Sequence, residues 1–221
     1  MKIKVIFPTR SRPDKFLNVL KKYHEYAHDL DNMTFVVNCD ENDETTNNIE
    51  FIKKVGEFKN THLYFDDNNS KIQACNRNVD ENGGYDILML ASDDMVPVKK
   101  GYDKIVRLGF EKYIPDLDGV LHFNDGIQGK RLNTLCILGR KYYNRFGYIY
   151  HPSYMSLYCD QEFTQVSKKL DKQVYVDNII IRHEHHAHGY CSVDDLYDRN
   201  EAYCSQDEHN FMKRYKNNFD L

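Results

Sequence analysis

Lys2-Ile-Lys-Val-Ile-Phe-Pro-Thr-Arg-Ser-Arg-Pro-Asp14 is the stretch on which the fold class turns. The β-branched apolar run from Lys2 to Phe7 stops at Pro8 and reads as a buried strand. Directly after it, Ser11 to Asp14 has the form of a capping box with proline in the first turn, and Phe16, Val19, Leu20 and Tyr23 follow at helical spacing. The predicted order is therefore strand, short loop, helix.

Outward from this unit the alternation repeats. Thr34 to Asn38 reads as a second strand, and Glu44 to Val55 as a second helix with Ile49, Ile52 and Val55 facing inward. His62 to Phe65 is a third strand, followed by a helix from about Ser70 to Asp80. Glu81-Asn-Gly-Gly84 makes a turn into Asp86-Ile-Leu-Met-Leu-Ala91, the most continuous apolar strand of the chain. Strands alternating with helices at this spacing imply βαβ units, an α/β fold and a mainly parallel sheet flanked by helices. The second half is less regular. Strands are expected at Gly119–Phe123, Thr134–Leu138, Val174–Val176 and Ile179–Arg182, helices at Arg140–Phe146 and Gln161–Leu170, and a polar helical stretch over Val193–Phe219.

The 221 residues carry 30 Lys+Arg against 34 Asp+Glu, a formal net charge of −4 that argues against an extended nucleic-acid surface. At 41% hydrophobic and 29% charged the composition is globular. The longest apolar runs are strand-length, well short of the ~18 residues a membrane helix needs, so no membrane segment is expected. The first strand opens at the N-terminus with no leader ahead of it, and the six cysteines fall at wide spacings without a C-x-x-C. Both features suggest reduced thiols and a cytoplasmic protein.

In a parallel sheet the polar residues just past each strand share one cleft beyond the carboxyl ends. Those residues are Thr9, Arg10 and Arg12 after the first strand, Asp40 and Asp43 after the second, Ser92, Asp93 and Asp94 after the fourth, and His183 and His185 after the Ile179 strand. Carboxylates and imidazole suit a divalent metal, and guanidinium suits phosphate oxygens. Asp93-Asp94 is the sharpest of these signals. Two acids ending a hydrophobic strand repel each other at a buried sheet edge unless a cation sits between them, although an Asp pair is also a common turn element. The histidine run His183-Glu-His-His-Ala-His188 is not a zinc hydrolase motif, since H-E-x-x-H needs histidine where Ala187 stands. The Tyr-rich stretch Tyr142–Tyr158 reads either as an aromatic platform or as core.

The order of strand, Pro8-Thr-Arg-Ser-Arg-Pro13 and helix, then Asp40, Lys71-Ile-Gln-Ala-Cys-Asn-Arg-Asn78 and Ile87-Leu-Met-Leu-Ala-Ser-Asp-Asp94, resembles the nucleotide-sugar-binding half of GT-A glycosyltransferases, in particular their inverting, family-two-like branch. Tyr158-Cys-Asp-Gln-Glu-Phe163 and Ile179-Ile-Ile-Arg-His-Glu-His185 extend the resemblance through the second half. The DXD-type motif is here Ser92-Asp93-Asp94, with serine at its first acidic position. The resemblance implies a metal-dependent transferase of a sugar from a nucleoside diphosphate, UDP-linked, to a glycan, a modified nucleic-acid base or a protein. Mn²⁺ or Mg²⁺ would be held by Asp94 with His183 and His185. Asp160 would be the base, with Glu162 second; Asp40 would meet the nucleotide base ring, Asp93 the ribose or sugar, and Thr9, Arg10, Arg12, Lys71 and Asn76 the remainder of the donor. It also implies a single domain over 1–221, with a donor half at 1–98, an acceptor and metal-completing half at 99–192, and a helical extension at 193–221. A nucleotidyltransferase of related topology would carry a glycine-rich loop after the first strand, and Pro8–Pro13 has no glycine. A non-catalytic binding module of the same fold stays open through Ser92.

Overall fold

The structure is a computed structural model and describes residues 1–184, 199 and 201–221. Nine strands are described: β1 (Ile3–Thr9), β2 (Met33–Asp40), β3 (Thr61–Asp66), β4 (Ile87–Leu90), β5 (Met95–Pro97), β6 (Val120–Phe123), β7 (Ile137–Gly139), β8 (Gln173–Val176) and β9 (Ile181–His183). The α-helices are α1 (Pro13–Tyr26), α2 (Ile49–Gly56), α3 (Lys71–Asn76), α4 (Tyr102–Tyr113), α5 (Arg140–Tyr143), α6 (Cys159–Lys169) and α7 (Cys204–Lys216).

Seven strands form one sheet in the order β3-β2-β1-β4-β7-β6-β8. The pairings β1·β2, β2·β3, β1·β4 and β6·β8 are parallel, while β7 runs antiparallel to both β4 and β6. The expected α/β, mainly parallel sheet is the one observed. Its strand order reverses at β1/β4, the switch point beyond whose carboxyl ends ligands bind in open sheets of this kind. A separate ribbon pairs β5 with β9 antiparallel, with Met95 opposite His183.

The core lies on both faces of the sheet. Phe7, Phe16, Tyr23, Phe35 and Tyr102 fill one side, and Ile72, Tyr85, Tyr142, Tyr154 and Phe163 the other. Tyr142, Tyr143, Tyr150 and Tyr154 of the Tyr-rich stretch are all buried in this second cluster, so that stretch is chiefly core. Lys4 sits fully buried on the central strand β1. Its ammonium donates to the carbonyls of Val79 and Gly83, each at 2.9 Å, and to that of Glu81, which ties the loop before β4 to the sheet.

Three local expectations change. Ser11 does not cap α1: it adopts φ +60°, its N–H donates to the Asp43 carboxylate at 2.8 Å, and Arg12 stands at the N-cap ahead of Pro13. The second helix begins at Asn48, whose side chain accepts from the Phe51 N–H at 3.0 Å, because Asp43 folds residues 43–47 into a turn. This later start puts Phe51 and Val55 inward, and leaves Ile49 86% and Ile52 44% exposed. Finally, α3 ends at Asn76, well short of Asp80. Its last side chain is consumed by the backbone of Ile149 and Tyr150, and Arg77 turns extended to pair with Asp66 at 3.0 Å.

Candidate active site

A cavity of about 260 Å³ opens at the carboxyl ends of β1, β2 and β4. Parallel register brings Thr9 beside Cys39, so that Asp40 follows at the same edge, and β4 delivers Ser92, Asp93 and Asp94 next to them. The opposite wall comes from the start of α3 (Ser70, Lys71, Cys75), residues 155–157, the first turn of α6 (Cys159, Asp160) and the approach to α7 (Arg199, Glu201, Tyr203). His183 completes the ring. Thr9, Arg10, Arg12, Asp40, Lys71, Asp93, Asp94, Asp160 and His183 are thus brought together from separate parts of the chain.

On the β-strand wall each acid is matched to a protein cation. Arg10 donates to Asp40 and, at 2.7 Å, to Asn42; the second oxygen of Asp40 accepts from Asn68 at 2.9 Å. Arg12 donates to Asp93 at 3.2 Å, with the Lys15 ammonium at 3.5 Å. Burial nevertheless pushes the Asp93 carboxyl up, with Arg12 opposing and the charge of Asp94 adding to the rise. Thr9 Oγ1 is buried beside this cluster and has no hydrogen-bond partner among the described residues.

Asp94 is held by His183, Nε2 to Oδ2 at 3.5 Å, and accepts from the Ser92 hydroxyl. The β5·β9 ribbon explains the contact: Met95 lies opposite His183, and the Glu184 N–H donates to the Asp94 carbonyl at 2.6 Å. On the far side of the ring, His183 Nδ1 lies 3.8 Å from Asp125. Asp125 is in turn fixed by the Thr134 hydroxyl at 2.7 Å and by the N–H groups of Ile127 and Gln128 at 2.9 and 2.7 Å. Burial works against ionising Asp94, but the hydrogen bonds from His183 and Ser92 outweigh it and hold the carboxyl well below its usual range. Burial likewise opposes the imidazolium, yet Asp125 and Asp94 push His183 up to about 9.

This set fits a divalent cation. A carboxylate oxygen and an imidazole nitrogen face each other, and the remaining ring nitrogen is oriented by a second carboxylate, as in metal-ligating histidines generally. Among the described residues no cluster of three ligating side chains stands ready, so such an ion would take its other ligands from substrate and water. His185, named as a further ligand, lies outside the described residues, as do His186 and His188.

Across the cavity Asp160 is the second residue of α6, and burial pushes its carboxyl up, against the pull of Lys71. Lys71 stands among Asp94, Asp160 and the thiols of Cys75 and Cys159. Crowding by protein disfavours its charge, but these neighbours outweigh that and raise its pKa. Two residues named from sequence are not on the cavity lining. Asn76 spends its amide on the Ile149–Tyr150 backbone. Glu162 faces away into the protein, accepting from Tyr154 at 2.7 Å and from Arg214 at 2.7 and 2.8 Å in a bidentate pair that joins α6 to α7. Asp125, Thr134, Arg199, Glu201 and Tyr203 are not among the residues that the sequence singles out. Asp125 is hidden in a polar turn, and only its pairing with a histidine sixty residues away distinguishes it.

No family model and no curated protein matches this sequence. Solved structures do match. The Pyrobaculum calidifontis mannosyltransferase PcManGT, solved with GDP-Man and Mn²⁺, is 12% identical with a TM-score of 0.66, over 86% of this chain and 58% of that one. S. aureus TarS 1–349 with UDP-GlcNAc is 17% identical with a TM-score of 0.62, over 90% and 64%. The same protein with UDP gives 15% and 0.63, over 82% and 60%. The chain therefore spans less than two thirds of the length of each. With its mixed, mostly parallel seven-stranded sheet and its cavity at the switch point, the chain has a GT-A-like fold and is structurally similar to the GT-A glycosyltransferases PcManGT and TarS.

Proposed function

We propose that the chain transfers a sugar from a nucleoside-diphosphate sugar, UDP-linked, to a hydroxyl acceptor with inversion at the anomeric carbon. The observation that carries this reading is the convergence of Thr9, Arg10, Asp40, Asp93, Asp94, Asp160 and His183 on one cavity beyond the strand ends. The likeness to structures solved with GDP-Man and UDP-GlcNAc supports it.

Asp40, braced by Arg10 and Asn68, accepts from the nucleotide base ring, and the buried Thr9 hydroxyl beside it gains a partner. Asp93, fixed by Arg12, faces ribose or the donor sugar. Lys71 supplies positive charge toward the diphosphate. Asp94 and His183 would hold Mn²⁺, or Mg²⁺, which when bound neutralises the charge growing on the departing diphosphate as a Lewis acid. Asp125 keeps the His183 ring aimed. Asp160 takes the acceptor proton while the acceptor oxygen bonds to the anomeric carbon and the bond to the diphosphate breaks. The opposed environments of Asp94, held ionised, and Asp160, raised toward protonation, are the pattern that separates a charge-binding carboxylate from an acid–base one.

A non-catalytic nucleotide-binding module of the same fold is favoured by one observation. Ser92 and His183 satisfy Asp94 within the protein, so charge balance there does not require a metal. Incubation with UDP-GlcNAc or GDP-mannose separates the two readings. The enzyme releases nucleotide in the presence of Mn²⁺ and stops when the metal is chelated; no release from either donor contradicts it.

A further inference from the structure

The chain enters α6 in an unusual way. Tyr158, at the N-cap, lies in the left-handed region at φ +60° and makes no capping bond with its side chain, and Asp160 follows two residues later. A tyrosine persists in that conformation only where its surroundings impose it. Those surroundings are one face of α7. Asp207, fully buried, accepts three consecutive backbone N–H groups, from Met155 at 2.9 Å and from Ser156 and Leu157 at 2.8 Å each. Phe211 packs on the Tyr158 ring with centroids 5.9 Å apart. Asn210 donates to the Ser153 carbonyl and hydroxyl at 3.2 and 2.9 Å, and Arg214 grips Glu162. Residues 207, 210, 211 and 214 share one helical stripe, and each grips the segment on one side or the other of Asp160.

We propose that Asp207 is a positioning residue for the transfer reaction: by clamping the Met155–Leu157 backbone and, with Phe211, the turn at Tyr158, it aims Asp160 into the cavity. The inference rests on the transferase reading and on Asp160 as the base. Asp207 does not reach the cavity lining itself, and the donor edge at β1, β2 and β4 makes no contact with this stripe through the bonds described. The start of α3, which carries Lys71, meets the clamped segment only through the Ile72 N–H on the Met155 carbonyl at 3.5 Å among the backbone bonds described, so loss of the clamp acts first on turnover and far less on donor binding. A displacement of about 1 Å in a reacting group is enough to cost on the order of a hundredfold in rate.

The test compares Asp207→Asn, Phe211→Leu and a control, Asp118→Asn, which cuts a buried ion pair with Arg145 and Lys172 away from the cavity. Nucleotide release from UDP-GlcNAc and GDP-mannose with Mn²⁺ is measured below the melting temperature of each variant, beside UDP affinity by calorimetry. Asp207→Asn lowers kcat by ~10- to 100-fold, with UDP affinity and donor KM changed far less than kcat. Phe211→Leu, which leaves the amide clamp intact, gives the same kcat-selective loss in smaller measure and decides the matter if Asp207→Asn does not fold. Asp118→Asn loses thermal stability but keeps kcat. Wild-type kcat in the foldable clamp variants, or a kcat loss in Asp118→Asn equal to theirs, overturns the proposal. A wild-type chain that releases no nucleotide from either donor instead overturns the transferase reading, and the proposal falls with it.

Discussion

On the wall formed by β1, β2 and β4, Asp40 ends its strand and Asp93 and Asp94 follow theirs; Asp40 and Asp93 are paired with arginines, and Asp94 is held by His183. On the facing wall Asp160 is backed by the charge of Lys71 and the Gln161 N–H at 2.8 Å, but by no ion pair among the described residues. Its place depends on a turn held by a helix some fifty residues downstream, and burial leaves its carboxyl raised where Asp94 is lowered. The first wall is assembled by sheet register, the second by long-range polar clamps. A ligand-holding edge benefits from saturated, fixed charges, and a proton-accepting edge from a carboxylate that is not saturated.

Substitutions on the two walls should separate accordingly. The largest effect belongs to Asp160→Asn, which removes the proposed proton acceptor and is expected to lower transfer by ~10²–10⁴-fold. Calorimetric UDP affinity stays at the wild-type value; an active variant would break the contrast between the walls. Next is Glu162→Gln, two residues further along the same helix. Removing one member of a buried pair costs about 3–5 kcal/mol, read as a fall in the melting temperature, while the folded fraction loses far less turnover than Asp160→Asn. If turnover fell as for Asp160→Asn, the division of this turn into a cavity side and a clamped side would be wrong. The smallest effect sharpens the first wall. Asp125→Asn loosens the His183 ring and weakens Mn²⁺ binding by ~10- to 100-fold, measured by metal titration, and leaves the fold intact.

The same contrast explains what could be read from the sequence. The strand ends of the first wall are legible because a β-branched run fixes a strand, and parallel pairing then places the following residues at a single edge; Thr9, Asp40, Asp93 and Asp94 follow from that logic alone. His183 is named for following the Ile179 strand, but its place beside Asp94 comes from a separate antiparallel ribbon with β5, a three-residue strand too short to show a period, whose register sets Met95 opposite it. The helix α4 carries its signal in Tyr102, Val106 and Phe110, one buried stripe at helical spacing, yet it falls in the irregular half where strand and helix patterns compete. Ile49 and Ile52 misled because periodicity gives the phase of a helix only once its start is known, and the Asp43 turn moved that start. Glu162 and Asn76 lie off the cavity lining for a related reason: each bonds a partner more than fifty residues away, which local spacing does not reveal.

The central claim is that the first wall binds a nucleoside diphosphate through a divalent ion held by Asp94 and His183. Calorimetric titration of UDP into the wild-type chain and into Asp94→Asn, each with and without Mn²⁺, tests it most directly. The account predicts that UDP binds the wild type only with Mn²⁺, and that Asp94→Asn loses this metal-dependent binding while remaining folded. UDP binding that is equal with and without Mn²⁺, or that survives unchanged in Asp94→Asn, would contradict it.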